Sequence, residues 1–230
     1  MSRINIKGVV FDLDATLVDL GEHVRWRDAQ HEVIEIYRTC GSSEDLLKKY
    51  DSKGLFNLIY EIDTLFTNSK SQEEIKSIQD RIWHILDNYE LEGTEKCGFM
   101  PGTPEVLEWL KGHNIRLGIC TSNSTEVARK VLNKLEVAPY FSSVIGRTPN
   151  LRMKPHPDQI LACFRELKVN PRKGIVVGDS HNDILAGKTA GARTIAIPVY
   201  FTRKEAMEAA KPDVVINSIS ELPKVILSLK

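Results

Sequence analysis

Acidic side chains directly follow the first apolar run of this sequence. Residues 9–11 are apolar, Asp12 comes next, and Asp14 follows two positions later. Two carboxylates this close repel each other unless a cation or a proton separates their roles. The spacing therefore indicates a metal site or an acid–base pair, and a solvated turn with a helix cap remains the alternative.

Hydroxyl and amide side chains follow a second apolar run, which ends at Cys120. Thr121, Ser122 and Asn123 come directly after it and can donate hydrogen bonds to an anion. Ser124 is placed to cap the helix that we expect from residue 125, since serine is a common residue at that position. By itself this segment is weak evidence for a ligand site.

A lysine and a second acidic pair come later in the chain. Lys154 precedes Pro155 in a stretch whose prolines favour extended backbone, where an isolated lysine is usually solvated. Asp179 directly follows another apolar run. If a helix starts near Ser180, Asp183 falls in its first turn, where the helix dipole favours a carboxylate. The dipole does not explain Asp179.

The elements that position these residues can be predicted from the pattern of apolar residues. After residue 100, short apolar runs alternate with helix-like stretches, which predicts βαβ units and a parallel sheet. The predicted strands are residues 7–12, 115–120, 144–145, 174–177, 194–197 and 214–216. The predicted helices are residues 104–111, 125–135, 157–167 and 182–190. Ligands bind at the carboxyl edge of such sheets, where all the polar groups above should meet.

A helical block interrupts the α/β pattern. Between Glu22 and Tyr89, apolar residues recur every three or four positions, with a turn-rich stretch at residues 41–54. We therefore predict an α/β fold, a doubly wound parallel sheet with an inserted all-helical domain over its carboxyl edge. The predicted boundaries are residues 1–20 and 100–230 for the α/β core and residues 21–99 for the helical insertion.

Composition restricts the classes of partner. The chain has 230 residues, of which 42% are hydrophobic and 27% charged, as in ordinary folded proteins. Its 31 basic residues balance 31 acidic ones, so we expect no broad basic surface for nucleic acid. Apolar runs too short for a signal sequence or a membrane span predict a cytoplasmic protein with no membrane partner. The widely spaced cysteines are expected to be reduced, buried thiols: Cys40, Cys97, Cys120 and Cys163.

Taken together, these polar groups predict phosphoryl transfer. This chemistry needs Mg²⁺ on oxygen ligands, cations and hydrogen-bond donors on the phosphate, and a nucleophile in line. In order and spacing, the motifs resemble those of the haloacid dehalogenase superfamily, in its phosphatase branch. They are a DxDxT-type motif at Asp12, Asp14 and Thr16, a strand that ends at Thr121, a lysine at Lys154 and a GDSxxD-type motif at Asp179 and Asp183.

The resemblance covers both parts of the chain and implies an Mg²⁺-dependent phosphatase. The helical block is similar to the cap domain of phosphoglycolate phosphatase-like and β-phosphoglucomutase-like members. The expected partner is a small phosphorylated metabolite, and the expected assembly is a monomer or a small homo-oligomer. A phosphoglycolate-like substrate follows if cationic residues of the cap reach the site, namely His23, Arg25, Arg27, Lys48, Lys49 or Lys53.

The resemblance also implies a role for each motif residue. It makes Asp12 the nucleophile of an aspartyl-phosphate intermediate, and Asp14 the acid for the leaving alcohol and the base for water. It places Mg²⁺ on Asp12, the Asp14 main-chain carbonyl, Asp179 and Asp183, the last either as a ligand, through water or as a partner of Lys154. It assigns the phosphoryl oxygens to Thr121, Ser122, Asn123 and Lys154.

Alternatives differ in how well they fit the motifs. Many family members have glycine where this chain has Ala15, so we expect a slightly altered loop there. A dehalogenase is disfavoured because Asp14 is present, and a signalling receiver domain is disfavoured by the order of the motifs. A phosphosugar mutase on the same core and a catalytically silent phosphate-binding protein remain open.

Overall fold

The computed structural model describes residues 5–51, 54–198 and 204–229. They form two compact units, one made by the chain up to Glu22 and from Lys96 onward, and one made by His23–Glu95. Lys53, one of the candidate cap cations, lies outside the described residues. Within these ranges no helix is both long and apolar enough to cross a membrane.

The first unit contains a six-stranded parallel sheet. Its strands are β1 (Gly8–Phe11), β2 (Arg116–Ser124), β3 (Phe141–Arg147), β4 (Gly174–Gly178), β5 (Arg193–Ala196) and β6 (Val214–Val215), in the order β3-β2-β1-β4-β5-β6. The chain leaves the central strand first toward one edge and then toward the other, so the switch point lies beside β1. The predicted fold class is confirmed.

Helices connect the strands of this sheet, and a last helix follows β6. They are α5 (Thr103–Gly112), α6 (Thr125–Lys134), α7 (Asp158–Glu166), α8 (His181–Thr189), α9 (Lys204–Ala210) and α10 (Leu222–Ser228). Every residue of β1 and β4 is buried, as expected for central strands of a parallel sheet that is covered on both faces. Val10 and Val176 pack with Cys163 and Phe164 of α7 in one core cluster.

The second unit is all helical. It comprises α1 (Trp26–Thr39), α2 (Glu44–Asp51), α3 (Leu55–Phe66) and α4 (Gln72–Gly93). A capping box starts α4, since the Ser71 hydroxyl accepts from the Glu74 amide at 3.2 Å and the Glu74 carboxylate accepts from the Ser71 amide at 2.9 Å. One core joins the four helices, and each large aliphatic side chain buried there contributes about 1.5–3 kcal/mol.

The prediction that residues 41–54 are rich in turns is wrong for most of this stretch, because α2 occupies its centre. The Ser43 hydroxyl accepts a hydrogen bond from the Leu46 amide at 3.3 Å at the start of this helix. Leu47 is only 2% exposed and belongs to the core of the helical unit. A single buried leucine gives too little periodicity to indicate so short a helix.

All four cysteines are free, as the sequence predicts. Cys97, Cys120 and Cys163 are buried, whereas Cys40 is only partly buried. Burial raises the pKa of the Cys97 thiol to about 12, with further repulsion from Asp19. That thiol therefore stays protonated at neutral pH.

Candidate active site

Strand register brings the predicted polar segments to one edge of the sheet. Phe11, the last residue of β1, is aligned with Ile119 of β2 and with Val177 of β4. The Asp12 amide donates to the Val177 carbonyl at 2.8 Å and so continues the alignment past the end of β1. Because the strands are parallel, the residues that follow each of them share the carboxyl edge.

Lys154 lies at the centre of this edge. Its ammonium Nζ donates to Asp12 Oδ1 at 2.6 Å, to Asp183 Oδ1 at 2.5 Å and to the Cys120 carbonyl at 2.9 Å. Its side chain is only 3% exposed, so it is not solvated as a lysine in a loop usually is. Burial by itself lowers the pKa of Lys154, but the two carboxylates outweigh it and hold that pKa well above its ordinary value. Lys154 therefore links three separate segments as a permanent cation.

Three carboxylates gather around this cation. Asp12, Asp179 and Asp183 each offer an oxygen within 4.8 Å of the others. Burial raises the pKa of Asp12 to about 7 against the opposing charge of Lys154, and repulsion from Asp183 adds to the increase. Burial, followed by repulsion from Asp12 and Asp183, holds the pKa of Asp179 well above its ordinary value. One lysine does not balance this much buried negative charge, so the cluster is suited to a cation.

The two oxygens of Asp183 have different partners. Oδ1 accepts from Lys154, whereas Oδ2 accepts from the Ser180 amide at 3.0 Å and from the Ser180 hydroxyl at 2.6 Å. The second set is a capping box that begins α8, as the predicted helix start implies. The cap fixes the orientation of the carboxylate that meets Lys154.

Gly178 allows Asp183 to approach the end of β4 closely. A Cβ atom at residue 178 would lie 2.3 Å from Asp183 Cγ and 2.5 Å from its Cβ. Those distances are too short for any pair of carbon atoms, and the atoms that would be hit are close to the α8 backbone. The glycine before Asp179 is therefore required for the position of Asp183.

Asp14 is hydrogen-bonded to a residue seven positions further along the chain. Its Oδ1 accepts from the Gly21 amide at 2.7 Å. Burial raises the pKa of Asp14 to about 6, although hydrogen bonds from the Gly21 and Ala15 amides oppose the increase. Its carboxylate is not part of the acidic group found among the described residues, and its main-chain carbonyl is the atom that the resemblance assigns to Mg²⁺.

Ala15 adopts the backbone conformation that glycine would favour at this position. Its φ angle is +58°, in the left-handed region. Its amide donates to the Val18 carbonyl at 2.8 Å and closes the loop after Asp14. Alanine in this region costs about 1 kcal/mol relative to the right-handed conformation, so the loop keeps the geometry expected of glycine at that energetic cost.

The hydroxyl and amide segment forms the last part of β2. The Thr121 hydroxyl donates to Asn123 Oδ1 at 2.9 Å and accepts from the Asn123 amide at 3.2 Å. Both side chains are buried, whereas Ser122 is partly buried. The predicted helix cap is confirmed, since the Ser124 hydroxyl accepts from the Val127 amide at 3.2 Å.

Three residues that shape the site were not singled out from the sequence. Gly21 and Gly178 contact aspartates, and Arg147 donates to the Ser122 carbonyl at 2.8 Å. Gly178 was visible as the first letter of the GDSxxD-type motif. Gly21 and Arg147 have no comparable signal, because their contacts depend on how the chain folds back on itself.

A family model described as haloacid dehalogenase-like hydrolase matches residues 9–197. The match spans both units and includes every candidate site residue. The chain belongs to this family. The predicted resemblance and the prediction of an enzyme are thereby confirmed.

Individual relatives of this haloacid dehalogenase-like hydrolase have low sequence identity to it. The phosphoglycolate phosphatases of Shigella boydii and of Escherichia coli K12 are each 27% identical, and each alignment covers 95% of this chain and 91% of the relative. A solved haloacid dehalogenase-like family protein from Streptococcus pneumoniae is 21% identical with a TM-score of 0.66, covering 96% of this chain and 98% of that one. The structural likeness supports the fold.

Proposed function

We propose that this hydrolase is an Mg²⁺-dependent phosphatase that acts on a small phosphorylated metabolite through an aspartyl-phosphate intermediate. The observation that carries the proposal is the position of Lys154 between Asp12 and Asp183, where it also donates to the carbonyl of Cys120, the residue before Thr121. A nucleophilic carboxylate, a fixed cation and hydrogen-bond donors at one sheet edge are what phosphoryl transfer requires. The curated relatives named phosphoglycolate phosphatase support the same class.

The donor set fits Mg²⁺. Asp12, Asp179 and Asp183 supply hard oxygen ligands at one place. Burial raises the pKa values of Asp12 and Asp179, and a divalent cation there would favour their charged forms. When bound, this ion would offset charge between the carboxylates and the phosphate. The Asp14 main-chain carbonyl completes the proposed ligand set.

Asp12 and Asp14 perform the proposed covalent chemistry. An Asp12 oxygen attacks phosphorus while the bond to the leaving alcohol oxygen breaks, and Asp14 donates its proton to that oxygen. Asp14 then takes a proton from water, whose oxygen attacks phosphorus and releases Asp12 and inorganic phosphate. With its pKa raised to about 6, Asp14 can hold and release a proton near neutral pH.

The phosphate itself is held by the remaining groups. Lys154 supplies a positive charge that burial and its partners keep in place. Thr121, Ser122 and Asn123 supply hydroxyl, amide and main-chain donors at the end of β2. These groups are assigned to the nonbridging oxygens, where negative charge is spread in the transition state.

The relatives named phosphoglycolate phosphatase lead us to expect a substrate that carries a carboxylate as well as a phosphate. Arg25 is a poor candidate to bind that carboxylate, because it donates to Asp28 at 2.7 Å and to Glu92 at 2.9 Å. Both carboxylates belong to the helical unit and offset the positive charge of Arg25. Arg27 and Lys48 are exposed cations in the same unit and remain candidates.

The direct test is release of inorganic phosphate from a panel of phosphorylated metabolites, with and without Mg²⁺. We expect turnover that chelation abolishes and added Mg²⁺ restores. Sugar-phosphate isomerisation without release of phosphate would favour a mutase. Absence of both activities on every substrate would reject the proposed function.

Gly178→Ala tests the metal site. The added methyl group must displace Asp183, so the Mg²⁺ concentration needed for half-maximal activity should increase about 10- to 100-fold. Gly112→Ala is the matched control, since nothing lies within 4 Å of the Cβ position at residue 112. Equal Mg²⁺ dependence of the two variants would show that Asp183 does not support the ion.

Gly21→Ala tests the position of Asp14. A Cβ at residue 21 would lie 2.5 Å from Asp14 Oδ2, so the carboxylate must move and kcat should decrease about 10- to 100-fold. Gly98→Ala is the matched control, because the Gly98 amide also donates to an aspartate, Asp19, but its Cβ would lie 3.8 Å from the nearest atom. A substrate with a nitrophenolate leaving group, which needs little protonation, should be less affected than an alkyl phosphate. A uniform loss on both substrates would contradict the assignment of Asp14 as the acid.

A further inference from the structure

The end of β2 does not follow the regular ladder with β3. Cys120 is aligned with Ile145 and Ser124 with Arg147, so three residues of β2, 121–123, lie opposite Gly146 alone. We call residues 121–123 the β2 bulge. Bulges redirect side chains and interrupt ladder hydrogen bonds, and they occur often beside active sites. The β2 bulge therefore needs other contacts to keep one conformation.

Arg147 supplies one of these contacts. Its guanidinium Nη1 donates to the Ser122 carbonyl at 2.8 Å, and the residue is only 7% exposed. A guanidinium is planar and always charged, so a buried one with a fixed partner is a rigid donor. Hydrogen bonds to charged groups contribute more than those between neutral groups.

The same peptide group is held from its other side. The amide of the Ser122–Asn123 peptide is the Asn123 N–H, which donates to the Thr121 hydroxyl at 3.2 Å. Arg147 thus holds the carbonyl of this peptide and Thr121 holds its amide. The orientation of the Thr121 hydroxyl, which also donates to Asn123 Oδ1, is in this way linked to Arg147.

We propose that Arg147 is a positioning residue for phosphate binding, which it supports by fixing the Ser122–Asn123 peptide and with it the donors of the β2 bulge. This inference rests on the proposed function, because it assumes that the bulge holds the phosphate. Arg147 acts through the main chain. Loss of the Arg147 guanidinium displaces Thr121 and Asn123 together, which weakens the binding of phosphate.

Arg116 provides a matched control. It is the first residue of β2, at the opposite edge of the sheet, and its Nη1 also donates to a main-chain carbonyl, that of Leu167, at 2.8 Å. The same Nη1 also donates to the Lys168 carbonyl at 3.2 Å, so loss of either guanidinium removes charged hydrogen bonding to the backbone. Only Arg147 is at the edge that carries the proposed site.

The test compares Arg147→Met, Arg147→Lys and Arg116→Met. With Mg²⁺ present, Arg147→Met should raise KM for p-nitrophenyl phosphate and Ki for inorganic phosphate about tenfold, because misplaced donors bind the anion less well. Arg147→Lys should recover part of this loss, and Arg116→Met should leave both constants unchanged. Equal changes in both constants for Arg147→Met and Arg116→Met, or an unchanged Ki in Arg147→Met, would overturn the proposal.

Two further measurements keep the test decisive. In a double-mutant cycle, the effects of Arg147→Lys and Thr121→Val on the Ki for phosphate should be less than additive, since both act on one peptide group. Additive effects would contradict the link, and this cycle does not require Arg147→Met to fold. If the wild-type protein hydrolyses no phosphomonoester, the proposed function fails, and calorimetric binding of inorganic phosphate by the same variants still decides the role of Arg147.

Discussion

Asp12→Asn is expected to lower the rate of phosphate release by at least about 10³-fold, because an amide cannot form the aspartyl-phosphate. The variant should remain folded, since the amide oxygen can still accept a hydrogen bond from Lys154. Removing a buried carboxylate whose pKa burial raises to about 7 also removes an unfavourable charge. The measurements are phosphate release at saturating substrate and denaturant unfolding of the same preparation.

The matched control for this variant is Asp158→Asn. Asp158 pairs with Arg152 at 2.9 Å and with His156 at 3.0 Å and is the first residue of α7. Its replacement should leave turnover within about twofold, because Asp158 is not among the proposed site residues and a pair with an exposed partner such as Arg152 contributes only about 0–1 kcal/mol to stability. Wild-type turnover in Asp12→Asn would reject the nucleophile, and a loss of turnover accompanied by unfolding would mean that Asp12 has a structural role.

Lys154→Met is the substitution for which we expect the largest loss of stability. It leaves Asp12 and Asp183 without the buried cation to which both are bonded, and breaking a buried ion pair on one side costs about 3–5 kcal/mol. The free energy of unfolding should be measured in urea at neutral pH without Mg²⁺, because a bound divalent cation would offset part of the loss. Phosphate release should fall as well, since the proposed phosphate ligand is removed.

Two comparisons sharpen this prediction. Lys111→Met removes an exposed lysine that lies 4.8 Å from the centre of the Tyr140 ring, and should cost no more than about 1 kcal/mol. Adding Asp183→Asn to Lys154→Met removes one of the uncompensated carboxylates, so the double variant should be more stable than Lys154→Met alone. If Lys154→Met unfolds at the same urea concentration as Lys111→Met, the contacts of the Lys154 ammonium do not stabilise the fold.

Local sequence pattern was sufficient where the structure depends on neighbouring residues. The alternation after residue 100 predicted the strands β2 to β6 and the helices α5 to α8, because parallel strands and amphipathic helices leave distinct periodicities. The helix start at Ser124 followed from capping preferences, which involve only the next three residues.

Elements with few residues in contact with the core were less predictable. The short helix α2 was taken for turns, and α9 and α10 were not predicted at all. In α10 only Leu222 and Ile226 are buried, which is a single repeat of the helical period. Such segments become helical because the rest of the fold provides a surface for them to pack on.

The sequence by itself determined which chemical groups this protein places at strand ends, because motif residues and strand periodicity are local properties of the chain. Tertiary structure alone decided that Lys154 meets Asp12, 142 positions away, and that Arg147 meets Ser122. Those contacts depend on strand register and on the β2 bulge, which bring distant segments together. The same packing raises the pKa values of Asp12 and Asp179 by burial, an effect that no spacing of aspartates can show.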